Sequence, residues 1–382
     1  MKLAVIGAGM MGRAALYDLS LAADVEQVRL FDFDIDRARE VARQYGHGKT
    51  EAAALDARDD DAVATVLNGC TAAVACTTYQ HNIGLTQAAI KAGCHLVDLG
   101  GNHDVVNEQL ALDKQAEASG VIVIPDCGLA PGMVSLMVAD GVQKLDSVAS
   151  ARIRVGGLPQ APRPPLNYQI AFSVEGLINE YWEPCTVLEG GTKKTVNPMT
   201  GLEQLDFDGI GELEAFYTSG GVSTLPDTFR DQIEFLDYKT IRYPGHCVLF
   251  KAMLEIGLAS RKPVKINGSD VEPRAAFKAV LDRNLQATGP DMILLRVTVE
   301  GERDGKSVAI VYESIDRQDS LTGLTAMMRC TAFPAAIIAK MAATGAIKAH
   351  GVKPQEVVVD PALFIGQLKR RGIKLEISEK TA

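Results

Sequence analysis

Positive charge is in short supply in this sequence. Lys and Arg number 39 against 48 Asp and Glu, a formal charge of −9 at pH 7, and no stripe of interleaved aromatic and basic residues offsets the deficit. A surface of that sign repels phosphate backbones, so nucleic acid is not an expected partner. Cysteine is equally poor as a framework. The seven thiols (70, 76, 94, 127, 185, 247 and 330) show no C-x-x-C pair and no disulfide-dense spacing, and are expected to be reduced, as in a cytoplasmic enzyme. The six histidines include no H-E-x-x-H or similar ligand spacing, so no metal is expected. Long apolar runs are missing too. The apolar segment near the end is broken by Arg329, Pro334 and Lys340, and no membrane span is expected. The Met1-Lys2 start followed by apolar residues has the look of a signal peptide, but no small-residue cleavage site follows and its glycines fit another template. There is no internal repeat and no low-complexity tract. What is present, 47% apolar and 23% charged residues, is the mix of a folded chain, which excludes a disordered tail and a collagen-like rod.

At 382 residues the chain exceeds what one core usually holds, and two domains are expected. Residues 3–6 read as a short apolar strand running into Gly7-Ala8-Gly9-Met10-Met11-Gly12, after which Ala14, Ala15, Leu16 and Leu19 continue at helical spacing. Strands at 28–31, 72–76, 95–99 and 121–125 alternate with helices at 36–45, up to 67, 85–92 and 107–119. That alternation means β-α-β units and a doubly wound parallel sheet, here a dinucleotide-binding domain over residues 1–125. Beyond Pro131-Gly132 the texture changes to longer alternating segments (151–155, 292–300, 307–312), punctuated by Gly156-Gly157, Gly190-Gly191 and Asp304-Gly305. These predict a second α/β domain with a half-exposed mixed sheet over residues 126–324, carrying substrate and oligomer contacts. Residues 161–168 read as an ordered surface loop. A helix over 325–343 and a polar tail to 382 are expected to return to the first domain.

The glycine motif sits after a strand and opens a helix, where its mechanism requires it. Gly7 allows the tight turn, Gly9 lets the backbone approach a pyrophosphate, and Gly12 permits close helix–strand packing. Asp32, 20 residues after Gly12, ends the second strand, where a carboxylate accepts from the ribose hydroxyls and repels a 2′-phosphate. The cofactor expected is therefore NAD, held by Gly7, Gly9, Met10, Met11, Gly12 and Asp32, although Arg37 and Arg39 lie one turn further on. Thr77, Tyr79 and Asn82 at the next strand end are candidate cofactor contacts, with helix capping and packing as the alternative. At the following ends, Asp98 is either a carboxylate satisfied by nearby backbone N–H groups or a catalytic group. His103 is either a solvated loop residue or a base, Asp126 is a candidate substrate contact, and Cys127 is small filler.

In the second domain, residues 238–246 gather Lys239, Arg242 and His246 with two phenols around Pro244-Gly245. Arginine suits two-pronged binding of a carboxylate, so Arg242 and His246 are substrate candidates and Lys239 a catalytic one; Tyr168 and Ser219 are further substrate candidates. Glu175 offers a partner for an ammonium or an ordinary salt bridge.

These blocks, with the strand end 97–101, residues 125–133, 172–176, 214–221 and 239–246, and the closing 377–380, resemble the saccharopine dehydrogenase-like oxidoreductases, most closely the L-lysine 6-dehydrogenases, nearly end to end. The resemblance implies NAD-dependent oxidative deamination of the ε-amine of lysine. Its products would be ammonia and 2-aminoadipate 6-semialdehyde, which cyclises to piperideine-6-carboxylate, as a step of lysine degradation. It also implies a Rossmann domain, a mixed-sheet catalytic domain and a homo-oligomer. A saccharopine or carboxynorspermidine-type secondary-amine dehydrogenase shares the scaffold. Saccharopine, with three carboxylates, would call on extra arginines, for which Arg152, Arg154, Arg163 and Arg230 are available. A non-catalytic NAD-sensing protein is the reading of a different class, against which the dense polar strand ends argue.

Overall fold

Apolar runs too short for anything but strands build a parallel sheet at the front of the chain. They are β1 (Lys2–Ile6), β2 (Gln27–Asp32), β3 (Thr50–Ala54), β4 (Ala72–Ala75), β5 (His95–Asp98) and β6 (Ile122–Ile124), with Gly351–Val352 as a seventh strand. In the computed structural model, which describes residues 1–381, the order is Gly351–Val352, β6, β5, β4, β1, β2, β3, all parallel. β4 is buried along its whole length, which is why it reads as an unbroken apolar run and not as an alternation. The polar residues that matter lie at the carboxyl ends of these strands, where a doubly wound sheet binds its ligands. This unit comprises Met1–Gln143, Ser223–Thr228 and Met328–Lys374.

The second unit comprises Lys144–Val222, Phe229–Met327 and, of the described residues, 375–381. Its strands β7 (Ser147–Pro159), β8 (Cys185–Glu189), β9 (Thr192–Val196), β10 (Glu203–Phe207), β11 (Gly211–Tyr217) and β12 (Ile233–Arg242) join three further strands, Asp291–Arg303, Lys306–Arg317 and Glu376–Thr381. β12 runs parallel to β7 and antiparallel to β11 and β8, so the nine-stranded sheet is mixed. Helices Val174–Trp182 and His246–Glu255 share a core with this sheet that includes Leu177, Tyr181, Phe216 and Phe250. The second helix starts where Pro244 and Gly245 require it. Gly245 has φ +90°, a conformation suited to glycine, and the Glu214 carboxylate accepts from the N–H groups of Gly245 (2.9 Å) and Cys247 (2.6 Å).

Several sequence expectations shift. β3 was not anticipated, because Thr-Glu-Ala-Ala-Ala has little strand propensity; pairing with β2 holds it in place. The single helix expected over 107–119 is two, His103–Leu110 and Asp113–Ala118, the first capped by Asn102. Helix Met133–Gln143 groups with the first unit, past the expected boundary at 125, and residues 376–381 pair with Lys306–Arg317 in the second sheet and do not return to the first. The loop over 161–168 is exposed only in part, since Leu166 and Tyr168 turn inward and are buried. Helix Ala326–Ala343 is long and apolar enough to cross a membrane, but 78% of it is buried inside the fold, and that burial accounts for its composition.

Candidate active site

At the end of β1 the chain folds tightly enough that side chains are excluded. Gly7 has φ +101°, and a Cβ there would lie 2.8 Å from the Cys76 carbonyl oxygen; one on Gly12 would lie 1.7 Å from the Gly7 carbonyl oxygen. Gly9, by contrast, faces open space, and caps helix Met10–Leu21 without any side-chain acceptor for the helix N–H groups. Open backbone before an uncapped helix N-terminus is what an approaching pyrophosphate needs. Met10 is exposed, Met11 half-buried and Gly12 buried.

Asp32 is fixed by two backbone donors, Ala8 N–H at 2.6 Å and Asp34 N–H at 2.9 Å, with the Arg37 guanidinium at 3.9 Å. It borders a cleft of about 490 Å³ with Gly7, Phe33, Arg58 and Thr77 in its wall. Phe33 is 78% exposed there, an apolar ring with nothing to cover it, and the buried Thr77 hydroxyl lacks a hydrogen-bond partner. These features fit a dinucleotide: a glycine cradle, a carboxylate at the second strand end, an open ring and an orphaned hydroxyl. Tyr79 packs over Gly101, where a Cβ would come within 3.2 Å of its ring, and Asn82 is buried at the start of its helix. The structure brings these residues to one sheet edge with the glycine loop.

The ends of β5 and β6 are different in kind. Asp98 accepts from Gln109 Nε2 (2.7 Å), Gly100 N–H (2.8 Å) and Asp126 N–H (3.2 Å). Burial pushes its pKa up against those donors. With three donors and 1% exposure, it ties the two strand ends together, so the structure favours the bland alternative over a general base. His103, the other candidate base, starts its helix on the surface and is exposed. Asp126 sits at φ +63° and accepts from the Ser223 hydroxyl; burial, then the charge of Asp98, pushes it up to about 7. Gln355 donates to its carbonyl at 2.6 Å. Cys127 is wholly buried and its thiol is pushed well above the ordinary range by burial, which leaves it inert. Among the described residues no three His, Cys, Asp or Glu side chains are placed to hold a metal ion.

In the second unit the alternation of β12 sorts the candidates by face. Tyr238, Thr240 and Arg242 point one way; Asp237, Lys239 and Ile241 point the other. Arg242, 3% exposed, donates through Nε to the Tyr181 hydroxyl (2.7 Å) and through Nη1 to the Ile241 carbonyl (2.8 Å). Its guanidinium lies 4.7 Å from the Tyr168 ring centroid and 5.6 Å from that of Tyr181, a stacking geometry that an ammonium cannot reproduce. His246 completes the scaffold, with Nδ1 2.9 Å from the Leu166 carbonyl and Nε2 3.2 Å from the Tyr181 hydroxyl. Burial, then the Arg242 charge, pushes its pKa down to about 3. The imidazole is therefore neutral, and its tautomer follows from its partners: Nδ1–H donates to Leu166, and Nε2 accepts from Tyr181. His246 is thus a positioning residue, holding the phenol that aims Arg242. Ser219 donates its N–H to the Glu180 carbonyl (2.9 Å) and its hydroxyl to that of Asn179 (3.4 Å), so its side chain serves the loop.

Lys239 does not join this cluster. Its ammonium is 2.6 Å from Glu203 and lies over the Tyr217 ring at 4.8 Å, on the opposite face of the strand, where Arg154 binds both Asp237 oxygens (2.7 and 3.0 Å) and Glu203. Its amine is committed to an ion network. Glu175 takes the salt-bridge alternative, accepting from Arg274 (2.8 Å) and Arg261 (3.1 Å). Sequence reasoning missed Tyr181 and Glu180. Tyr181 reads as an apolar position of an amphipathic helix, and only the phase of that helix against β12 shows that its hydroxyl meets Arg242.

Comparison with known proteins agrees with this architecture. A family model described as the saccharopine dehydrogenase C-terminal domain matches residues 128–373, and one described as the saccharopine dehydrogenase NADP binding domain matches residues 3–124. The carboxyaminopropylagmatine dehydrogenase of Synechocystis sp. is 22% identical across 97% of this chain and 96% of its own length. The mitochondrial alpha-aminoadipic semialdehyde synthase of Bos taurus is 26% identical over 42% of this chain, which spans only 19% of that longer protein. Among solved structures, the saccharopine dehydrogenase (L-Glu forming) of Saccharomyces cerevisiae superposes with a TM-score of 0.81 at 19% identity, covering 100% of this chain and 99% of its own. A homospermidine synthase from Legionella pneumophila, solved with NAD, gives 0.69 at 14% identity over 99% of this chain and 91% of its own.

Proposed function

Because the chain belongs to the saccharopine dehydrogenase family and carries its NAD(P)-binding domain, we propose that it oxidises the ε-amine of L-lysine with NAD, as a homo-oligomeric enzyme of the cytoplasm. The carrying observation is Arg242: a buried guanidinium that forms no ion pair among the described residues. A buried cation without an anion is costly, and a substrate carboxylate removes that cost. The other arginines considered for a tricarboxylate are committed or outlying: Arg152 pairs with Glu300, Arg154 with Asp237 and Glu203, and Arg163 and Arg230 are exposed. Of these five arginines Arg242 is the one both buried and without an ion pair among the described residues, which suits one carboxylate and favours lysine over saccharopine.

Bound NAD would accept a hydride from the ε-carbon. The chain's part is to hold the other end of the substrate. Arg242 fixes the carboxylate, Tyr181 and His246 fix Arg242, and the nitrogen lone pair of the neutral ε-amine forms the C=N bond as hydride leaves. Water then adds to the iminium ion and releases the aldehyde and ammonium. The ε-ammonium has a pKa of about 10.4, and the two carboxyl-end candidates for a base are respectively bonded to three donors and exposed. The rate is therefore expected to follow the neutral amine, so kcat/KM should climb steadily from pH 7 to pH 10. NADH absorbance with lysine, ornithine, saccharopine and carboxynorspermidine tests the reading. Reduction with lysine alone, a cyclic imine trapped by o-aminobenzaldehyde and ε-nitrogen label appearing in ammonia support it. A response to saccharopine or carboxynorspermidine but not to lysine, or a flat pH profile, overturns it.

The NAD preference rests on Asp32, whose carboxylate is locked in place by Ala8 and Asp34 and would repel a 2′-phosphate. The native enzyme should favour NAD over NADP by at least about tenfold, roughly 1.4 kcal/mol. Asp32→Ser should raise KM for NAD and shrink that ratio, since the carboxylate that repels a 2′-phosphate is then gone. Equal efficiency of the native enzyme with both cofactors would remove the argument.

A further inference from the structure

Helix Val174–Trp182 carries two glutamates with different fates. Glu175 is satisfied by Arg274 and Arg261. Glu180 is half-buried, and its carboxylate has neither a hydrogen bond nor an ion pair among the described residues. It nonetheless lies within electrostatic reach of Arg242, Tyr168, Tyr181 and Tyr238. Burial pushes it up to about 7, and the Arg242 charge pulls the other way. Next to this cluster the Tyr238 ring lies so close to Gly221 that a Cβ there would come within 2.4 Å of it, and the Ser219 N–H donates to the Glu180 carbonyl at 2.9 Å.

A guanidinium and a carboxylate set around the same phenols, neither in an ion pair among the described residues, are each left to take a charge of the opposite sign. The ligand complementary to that pair is a zwitterion whose two charges are adjacent. An α-amino acid head group has that form, its ammonium one carbon away from its carboxylate. We infer that Glu180 and Arg242 together form an α-amino-acid subsite, Arg242 taking the carboxylate and Glu180 the α-ammonium. This rests on the reading that Arg242 binds a substrate carboxylate. It makes Glu180 the specificity-determining residue that separates amino acids from simple ω-amino acids. The ε-nitrogen is several bonds further along the chain, so Glu180 grips the end of the substrate that does not react.

Three amines separate the two charges: L-lysine, 6-aminohexanoate, which lacks the α-ammonium, and cadaverine, which lacks the carboxylate as well. The native enzyme should prefer lysine over 6-aminohexanoate by about 10- to 100-fold in kcat/KM, the range of one charge-assisted hydrogen bond. Glu180→Gln should lose that factor with lysine and stay within about threefold with 6-aminohexanoate. A binding measurement that needs no turnover runs alongside. On the native protein, calorimetric titration should show norleucine binding more tightly than hexanoate, and Glu180→Gln should abolish the difference. An unchanged lysine to 6-aminohexanoate ratio, or an equal loss with both, overturns the subsite while the lysine reading stands. If lysine is not oxidised but norleucine still outcompetes hexanoate, the subsite stands and the ε-oxidation reading falls. Equal binding of norleucine and hexanoate to the native protein defeats the subsite without any variant.

Discussion

Arg242→Ala should lower kcat/KM for lysine by about 30- to 4,000-fold, the 2–5 kcal/mol that accompanies loss of a desolvated charge pair. Arg242→Lys should be nearly as damaging. Lysine at this position offers no fork with one arm on Tyr181 and another on the substrate, and no planar group to lie against Tyr168. Cadaverine, with no carboxylate, should be turned over by Arg242→Ala about as well as by the native enzyme. Stability should move independently of activity. The guanidinium is buried beside two phenols and forms no ion pair among the described residues, so Arg242→Met is expected to match or exceed the native denaturation midpoint while activity collapses. Steady-state kinetics with the two amines, alongside urea denaturation, checks both halves. Unchanged kcat/KM for lysine in Arg242→Ala would remove the residue from the site. A variant as unstable as it is inactive would make Arg242 a structural residue.

Asp237→Ala should be the most destabilising change on the opposite face of β12, at about 3–5 kcal/mol, because it leaves the Arg154 guanidinium buried with half its partners gone. Side-chain exposures of 2% for Asp237 and 7% for Arg154 place the pair well inside the sheet, so solvent cannot replace the lost carboxylate. Glu203 remains on Arg154 and Lys239, which puts the expected loss toward the lower end of that range. The double variant Arg154→Met with Asp237→Leu should recover most of the stability, since removing both charges also removes their desolvation cost. Denaturant midpoints of the single and double variants measure the coupling. An Asp237→Ala protein within about 0.5 kcal/mol of native, the ordinary range of a surface change, would show that the network contributes nothing. Lys239→Met should likewise alter stability more than catalysis, because its ammonium is bound to Glu203.

The dinucleotide half was legible because its signals are local. A glycine motif between a strand and a helix, followed by Asp32 at the next strand end, depends on residues close in sequence, and backbone sterics at Gly7 and Gly12 permit little else. The cationic segment of the second unit was legible as a cluster and not as an arrangement. Residues 238–246 announce their cations, but which of Lys239 and Arg242 faces the aromatic core depends on the phase of a strand, and one residue of phase reverses every side chain. That phase is fixed by β7 and β11 on either side of β12, partners far away in the chain. Asp98 shows the same limit, since a carboxylate at a strand end looks catalytic until Gln109, Gly100 and Asp126 are seen to fill its lone pairs. Glu180 shows the reverse: one more acid on a helix in the sequence, it stands out only because folding supplies partners to the Glu175 carboxylate and, among the described residues, none to that of Glu180. Sequence by itself determined the parallel sheet, the glycine turn, the carboxylate at the second strand end and the arginine-bearing segment, through short-range periodicity and backbone sterics. Tertiary structure alone decided which buried charges are neutralised within the fold and which stay without an ion pair, because pairing is set by contacts between strands and helices far apart in the chain.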